Sequence, residues 1–333
     1  MHSQKKMTET ITPVLGDRSR GETIVVALGG NAILKPGEKG TFAEQMANIR
    51  NTAAQLARLI REGKRLIITH GNGPQVGRIF RQQELGVRAG LPEMPLYICG
   101  AMSQAQIGVM IQQAIHNELI QNGCPRTVVT LICQTLVDPA SRAFRDPTKP
   151  IGSFYSETEA QRAMAEKGET WKEDSGRGWR RVVPSPEPQG FPEIDAIRLL
   201  IDQGIIVVVS GGGGTPAAQE PGGALVGVEA VVEKDLAAQE VARIIGAETL
   251  LILTDVTHAM INYRTPQERA IGKVSLEEIK EYHRQGHFIP GSMGPKVLAA
   301  IRFIENGGKR AVITSLENAL PGAEGKVGTV VGL

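Results

Sequence analysis

The sequence predicts a doubly wound α/β sandwich on a mostly parallel sheet, and three observations carry that expectation. Five short runs are apolar at nearly every position, the runs alternate with amphipathic helical stretches, and glycine clusters fall where runs end. A run without polar alternation suits a strand covered on both faces, as when helices pack on either side of a parallel sheet. Strands and helices in alternating order then select a layered α/β architecture.

The strand runs occupy residues 24–28, 65–69, 128–132, 205–209 and 250–254, each rich in Ile, Val and Leu. The first helix is expected over 41–62, where Phe42, Met46, Ile49, Ala53, Leu56 and Ile60 recur every three or four positions and Gly63 supplies a stop. Further helices are expected over 104–122, 235–245, 276–285 and 296–306, with Asp235 as the N-cap of a helix that starts at Leu236. Residues 141–188 break this rhythm. They are rich in charge and proline, hold both tryptophans (Trp171 and Trp179), and contain no long apolar run, so they read as an inserted subdomain able to act as a lid.

Composition narrows the function. The 333-residue chain, 41% hydrophobic, is long enough to bury a large core, and its 37 Lys and Arg against 35 Asp and Glu leave a charge of only +2. No broad basic field argues for nucleic acid or an anionic membrane, so any functional lysine must act locally. Three cysteines (Cys99, Cys124 and Cys133) without CxxC spacing argue against a disulfide framework or zinc site and fit the reducing cytoplasm. The polar residues 1–22 read as a tail without a secretory core, and no run reaches the roughly 18–20 apolar residues that span a bilayer.

Chemistry concentrates in four clusters: Gly29-Gly30-Asn31, His70-Gly71-Asn72-Gly73-Pro74, Gly211 to Gly214, and Gly291-Ser292-Met293-Gly294-Pro295-Lys296. One such cluster is commonly no more than a tight turn. Several at the carboxyl edge of a sheet, where open α/β folds bind ligands, favour a phosphate cradle of backbone N–H groups. There is no GxxxxGK[ST] loop, and the GxG at Gly71 and Gly73 lacks the spacing of a dinucleotide fold. Lys149, Lys234 and Lys296 stand beside these clusters or at element ends. An isolated lysine is usually solvated, but phosphoryl transfer chiefly needs positioned cations, and prolines flank Lys149.

Other candidates carry less. His70 has no serine or cysteine nucleophile motif with it, and the i, i+4 pair His283 and His287 lacks the HExxH glutamate of a metal site. Arg177, Arg180 and Arg181 around Trp179 fit a folded lid better than a nucleic-acid surface.

Taken together, the stretches VVALGGNAI (25–33), HGNGPQVG (70–77), DPTKPIG (146–152), GRGWRRVVPSP (176–186), GVEAVVEKD (227–235), GSMGPK (291–296) and ITSLEN (313–318) resemble the carbamate kinase branch of the amino acid kinase superfamily. The resemblance runs from about Thr23 to Val331, and the lid stretches are the ones specific to this branch. Ser175 departs from the alanine often found before GRGWR.

The resemblance implies an open eight-stranded sheet in a three-layer sandwich, with a lobe at 23–210 for carbamoyl phosphate, a lobe at 211–333 for nucleotide, and the lid at 141–188 over the cleft. It implies reversible phosphoryl transfer between carbamoyl phosphate and ADP, giving carbamate and ATP, in a cytoplasmic homodimer. Carried over, Lys149, Lys234, Asp235 and Lys296 are catalytic, and Gly29, Gly30, Asn31, Gly71, Asn72 and Gly73 hold the phosphoryl and carbamate groups. Gly212, Gly213, Lys234, Asp255, Tyr263, Met293 and Lys296 serve the nucleotide. Carbamate and ADP are already anionic nucleophiles, so no general base is needed. Mg²⁺ is expected on the nucleotide phosphates and water, without a protein metal motif. A sister kinase with another acceptor, or a non-catalytic nucleotide-binding homologue, are the alternatives.

Overall fold

The computed structural model describes residues 21–174 and 176–332. Most of the expected tail (1–20) and Ser175 therefore lie outside the described residues. The last residue assigned to that tail belongs to the fold: Glu22 pairs with Lys64 at 2.7 Å and Arg310 at 2.9 Å.

Eight strands form the central sheet: β1 (Thr23–Leu28), β2 (Arg65–His70), β3 (Val128–Thr130), β4 (Ile206–Val208), β5 (Thr249–Thr254), β6 (Lys273–Val274), β7 (Arg310–Ser315) and β8 (Thr329–Val331). Their order is β6-β8-β7-β5-β1-β2-β4-β3. All neighbours are parallel except β7 and β8. The continuous apolar runs now have their cause. Along β1, Val25 and Ala27 face one core while Ile24, Val26 and Leu28 face the other, and all five are fully buried. With helices on both faces, neither set can be polar.

One face carries α1 (Phe42–Arg61), α3 (Leu96–Gln121) and α9 (Ala319–Ala323); the other carries α5 (Ile194–Asp202), α6 (Lys234–Ile245), α7 (Leu276–Arg284) and α8 (Met293–Glu305). Helix α1 starts with a capping box: the Thr41 hydroxyl accepts from the Glu44 N–H at 3.3 Å, and the Glu44 carboxylate accepts from the Thr41 N–H at 2.7 Å. Met46, Ile49, Ala53, Leu56 and Ile60 are buried as their spacing predicts, whereas Phe42 is 69% exposed because it sits at the first helical residue, beyond the edge of the core.

Three helix expectations need correction. Helix α3 begins eight residues before Gln104, at Leu96 with Pro95 as its N-cap, because residues 96–103 are apolar or small at nearly every position and show no polar face to mark a helical period. Helix α2 (Gly73–Arg88) has no counterpart among the expected helices: it starts inside the second glycine cluster, with Pro74 in the first turn, where its missing N–H costs nothing. Helix α8 starts three residues before Lys296.

Between β3 and β4 the chain builds a separate antiparallel sheet from strands Lys149–Tyr155, Thr170–Glu173 and Trp179–Val183, backed by helix α4 (Glu157–Lys167). Trp171 is buried there, edge-on to Tyr155 at 5.2 Å. Lys149 is thus the first residue of an edge strand, paired with Val183, rather than part of a free loop, and an edge strand tolerates Pro150. Ile151 and Val183 pack with Val76 and Ile79 of α2 and with Leu96 and Cys99 of α3, which seats this small sheet on the body.

Candidate active site

The strand order reverses around β1: the chain moves outward through β2 on one side and returns at β5 on the other. Ligand crevices in open α/β sheets lie at such a switch point, beyond the carboxyl ends of the strands. Three predicted clusters meet here. The Gly29 N–H donates to the Leu253 carbonyl at 2.8 Å, and the Gly71 N–H donates to the Leu28 carbonyl at 3.0 Å, so the loops after β1 and β2 are drawn together. The loop after β4 closes over them. Gly212 has φ +67°, and a Cβ there would lie 2.1 Å from the Asn72 amide; Gly213 has φ +92°, and its Cβ would lie 2.2 Å from the Val232 carbonyl oxygen. Only glycine satisfies both the left-handed backbone and the approach. Helix α2 opens at Gly73, adding first-turn N–H groups that have no partner within their helix.

These loops and the lid enclose a cavity of about 800 Å³ lined by Gly30, Gly71, Asn72, Gly73, Lys149, Gly212 and Lys234 among the predicted residues. The lid contributes Lys149 through Gly152 and Arg180; α2 contributes Arg78, Phe80 and Arg81. Gly29 is buried at the end of β1, and Asn31 is half-buried in a short 3₁₀ turn (Gly30–Ala32); neither lines the cavity.

Behind the cavity lies a charge cluster. The buried Asp235 carboxylate accepts hydrogen bonds from Lys234 through one oxygen and from Lys296, at 3.4 Å, through the other. This overturns the expectation that Asp235 caps its helix. Helix α6 begins one residue earlier, at Lys234, with Glu233 at the N-cap, so Asp235 lies inside the first turn and its side chain is free to bridge two lysines. Burial alone would raise the Asp235 pKa, but the adjacent Lys234 and Lys296 ammonium groups outweigh it and hold the carboxyl below the usual range. Burial pushes Lys234 down, with the Lys296 charge acting the same way against the opposing pull of Asp235. Lys296 is also tied to the Ser292 carbonyl at 3.1 Å, which fixes it over the start of α8.

His70 resolves as a support. It is buried, its Nδ1 lies 3.0 Å from the Gly71 carbonyl oxygen, and a Cβ on Gly211 would strike its ring at 2.3 Å. A carbonyl only accepts, so Nδ1 carries the proton. Burial, aided by the nearby Lys234 charge and opposed by that hydrogen bond, lowers the imidazole to about 4, so it is neutral near pH 7. Asn72 is similarly held: its Nδ2 donates to Ser103 Oγ at 2.7 Å.

The remaining predicted residues stand apart. Asp255 is exposed beyond β5, its Oδ1 accepting from the Thr254 hydroxyl at 3.0 Å. Tyr263 is 45% exposed, with the Arg264 guanidinium 5.3 Å above its ring. Met293 packs half-buried against the core at the start of α8. None of the three lines the cavity. Arg78, Phe80, Arg81, Ser103 and Glu233 are site residues that sequence reasoning missed. Of these, only Glu233 carried a signal, its position directly before Lys234.

Among the described residues no three His, Cys, Asp or Glu side chains converge as metal ligands. The cluster's one buried carboxylate is already engaged by two lysines, so the cluster offers no cage for a resident divalent ion.

Comparison with known proteins agrees with this geometry. Residues 22–315 match the model of the amino acid kinase family. The carbamate kinase of Pyrococcus horikoshii is 53% identical over 311 residues, covering 93% of this chain and 99% of that protein. That of Trichomonas vaginalis is 46% identical, covering 92% and 98%. Among solved structures, the Giardia lamblia carbamate kinase bound to AMP-PNP superposes with a TM-score of 0.89 at 46% identity, covering 94% of this chain and 98% of that one. A match that spans both the glycine loops and the lid, at this identity, means that the chain belongs to the amino acid kinase family, in its carbamate kinase branch.

Proposed function

We propose that the protein transfers a phosphoryl group reversibly between carbamoyl phosphate and ADP, yielding carbamate and ATP. The observation that carries this reading is the buried Lys234-Asp235-Lys296 cluster set directly behind glycine loops whose backbone closes on one cavity. In the forward direction an oxygen of the ADP β-phosphate attacks phosphorus, the bond from phosphorus to the carbamoyl oxygen breaks, and carbamate leaves with its electron pair. No proton need move, so the site requires cations and amides rather than a base.

In this reading Lys149 approaches the transferred group from the lid, and Lys234 and Lys296 neutralise charge that spreads over the phosphoryl oxygens. Asp235, as their shared counter-charge, holds those two lysines side by side and aimed. The amides of Gly29 to Asn31 and Gly71 to Gly73 take the carbamoyl phosphate side, in the lobe 23–210 beneath the lid 141–188. The lobe 211–333 takes the nucleotide, with Gly212 and Gly213 along its phosphates and Asp255, Tyr263 and Met293 toward its base and ribose. That a related Giardia protein was solved with AMP-PNP supports a nucleotide in this fold. Mg²⁺ enters as part of the substrate, chelated by nucleotide phosphates and water.

We also infer a cytoplasmic homodimer. Cys99, Cys124 and Cys133 are all free thiols, which suits a reducing compartment. Met102, Val109 and Ile120 on α3 and Ile132 beside the edge strand β3 are exposed apolar side chains that a second copy would cover.

The decisive assay supplies ADP, Mg²⁺ and carbamoyl phosphate, with acetyl phosphate and acetylglutamyl phosphate as parallel donors, on a preparation whose mass is read by light scattering. Rapid ATP formation from carbamoyl phosphate alone, by a particle of twice the chain mass, is expected. Equal use of another donor would make the protein a sister kinase, absence of ATP a nucleotide-binding homologue, and a single-chain mass would remove the dimer.

A further inference from the structure

The cavity contains an unexpected charge. Among the described residues lining it, Glu233 is the only carboxylate, set against Arg78, Arg81, Lys149, Arg180 and Lys234. A carboxylate in a chamber for anionic substrates opposes their binding unless it has another task. It does not cap its helix: Glu233 is the N-cap residue of α6, yet its side chain makes no capping hydrogen bond. Its Oε2 instead accepts a hydrogen bond from Lys149 Nζ, across 84 residues of sequence. Two further ties bind the same strip to the lid. The Val231 N–H donates to the Pro184 carbonyl at 3.0 Å, and Arg181 approaches Glu229 at 3.7 Å. Residues 229–233 therefore receive the lid at three points and lead directly into Lys234 and Asp235.

We propose that Glu233 is a positioning residue: it holds the lid lysine over the transferred group and registers the lid against the helix that carries Lys234. This rests on the reading of Lys149 given above. It assigns Glu233 no contact with substrate and no proton transfer; its contribution passes through Lys149.

The test is a double-mutant cycle of wild type, Glu233→Gln, Lys149→Ala and the double variant, with kcat and both KM values measured for each. Glu233→Gln keeps the shape and removes the charge, so kcat should fall about tenfold while KM for ADP stays within about twofold, and Lys149→Ala should lower kcat with nucleotide binding nearly intact. In the Lys149→Ala background the Glu233→Gln change should cost nothing further, because the group it acts through is gone. Glu233→Asp, which retains the charge on a shorter arm, should recover part of the loss. An equal loss in both backgrounds would overturn the proposal and assign Glu233 to the helix start instead; so would an unchanged kcat in Glu233→Gln. Unchanged turnover in Lys149→Ala alone would overturn the lid-lysine reading and this proposal together, which separates that failure from the first two.

Discussion

The two halves of the crevice are built differently. On the side we assign to the phosphoryl group, Asp235 is buried between two lysines, Asn72 is held by Ser103, and His70 is enclosed against Gly211, so each polar group has its position fixed by a neighbour. On the side assigned to the nucleotide, Asp255 and Tyr263 lie exposed, Asp255 accepting from its neighbour Thr254 and Tyr263 lying under the guanidinium of its neighbour Arg264. A site that stabilises a brief charge distribution must be preorganised, because each dipole that reorients during the reaction gives up part of its effect. A surface that merely holds a base and ribose can adapt after contact. The contrast therefore predicts large, turnover-centred effects on one side and small, affinity-centred effects on the other.

The strongest way to break that contrast is Asp235→Asn. The variant leaves two nearby ammonium groups without their shared counter-charge. Removing one partner of a buried ionic cluster costs about 3–5 kcal/mol of stability. Misplacing the lysines should lower kcat about 10²–10³-fold, the range found when one preorganised charge-stabilising group is lost. Denaturant melts alongside steady-state kinetics separate the two effects. A variant that folds with normal turnover would show that the lysines need no bridge.

A second, intermediate effect concerns pH. His70 has a folded-state pKa of about 4, below the ordinary 6.5, so between these values the unfolded chain binds the extra proton and the folded protein does not. Stability is then complete above pH 6.5 and is lost as pH falls toward 4. From these two values the loss between pH 7.5 and pH 5 is about 2 kcal/mol. His70→Asn, whose side-chain amide can still donate to the Gly71 carbonyl, should lack that part of the acid loss. Parallel urea titrations of both proteins at the two pH values measure it, and an identical loss of unfolding free energy between those pH values in the two proteins would mean that the imidazole is not what resists protonation.

What could be read from sequence follows the same division. Strands β1, β2 and β5 were legible because full burial on two faces leaves an unbroken apolar run. Strand β7 has only Ala311-Val312-Ile313 at its centre, and β6 and β8 are two and three residues long without the flanking apolar residues that extend the equally short β3 and β4 into five-residue runs. Gly212 and Gly213 announced themselves because positive φ and close approach demand glycine, and Lys234 and Lys296 through the clusters or element ends beside them. Ser103 stayed hidden, and Glu233 was marked only by its place before Lys234, since each acts through a long-range hydrogen bond that spacing does not encode. Asp235 was found but misassigned. A carboxylate near a helix start reads as a cap until the helix is seen to begin before it.

The smallest expected effect sharpens the comparison from the other side. Tyr263 is 45% exposed and its ring lies under the Arg264 guanidinium, so among the described residues Tyr263→Ala leaves no buried group unpaired and opens no core cavity. If this ring meets the nucleotide, what is lost is binding shared equally by ground state and transition state, which raises KM and leaves kcat alone. KM for ADP should rise by less than about tenfold, with KM for carbamoyl phosphate and kcat unchanged, while melting stability stays within about 0.5 kcal/mol. A fall in kcat comparable with that of Asp235→Asn would mean that this side is preorganised for the reaction too. The difference between the halves would then be one of exposure, without a matching division between transfer and affinity.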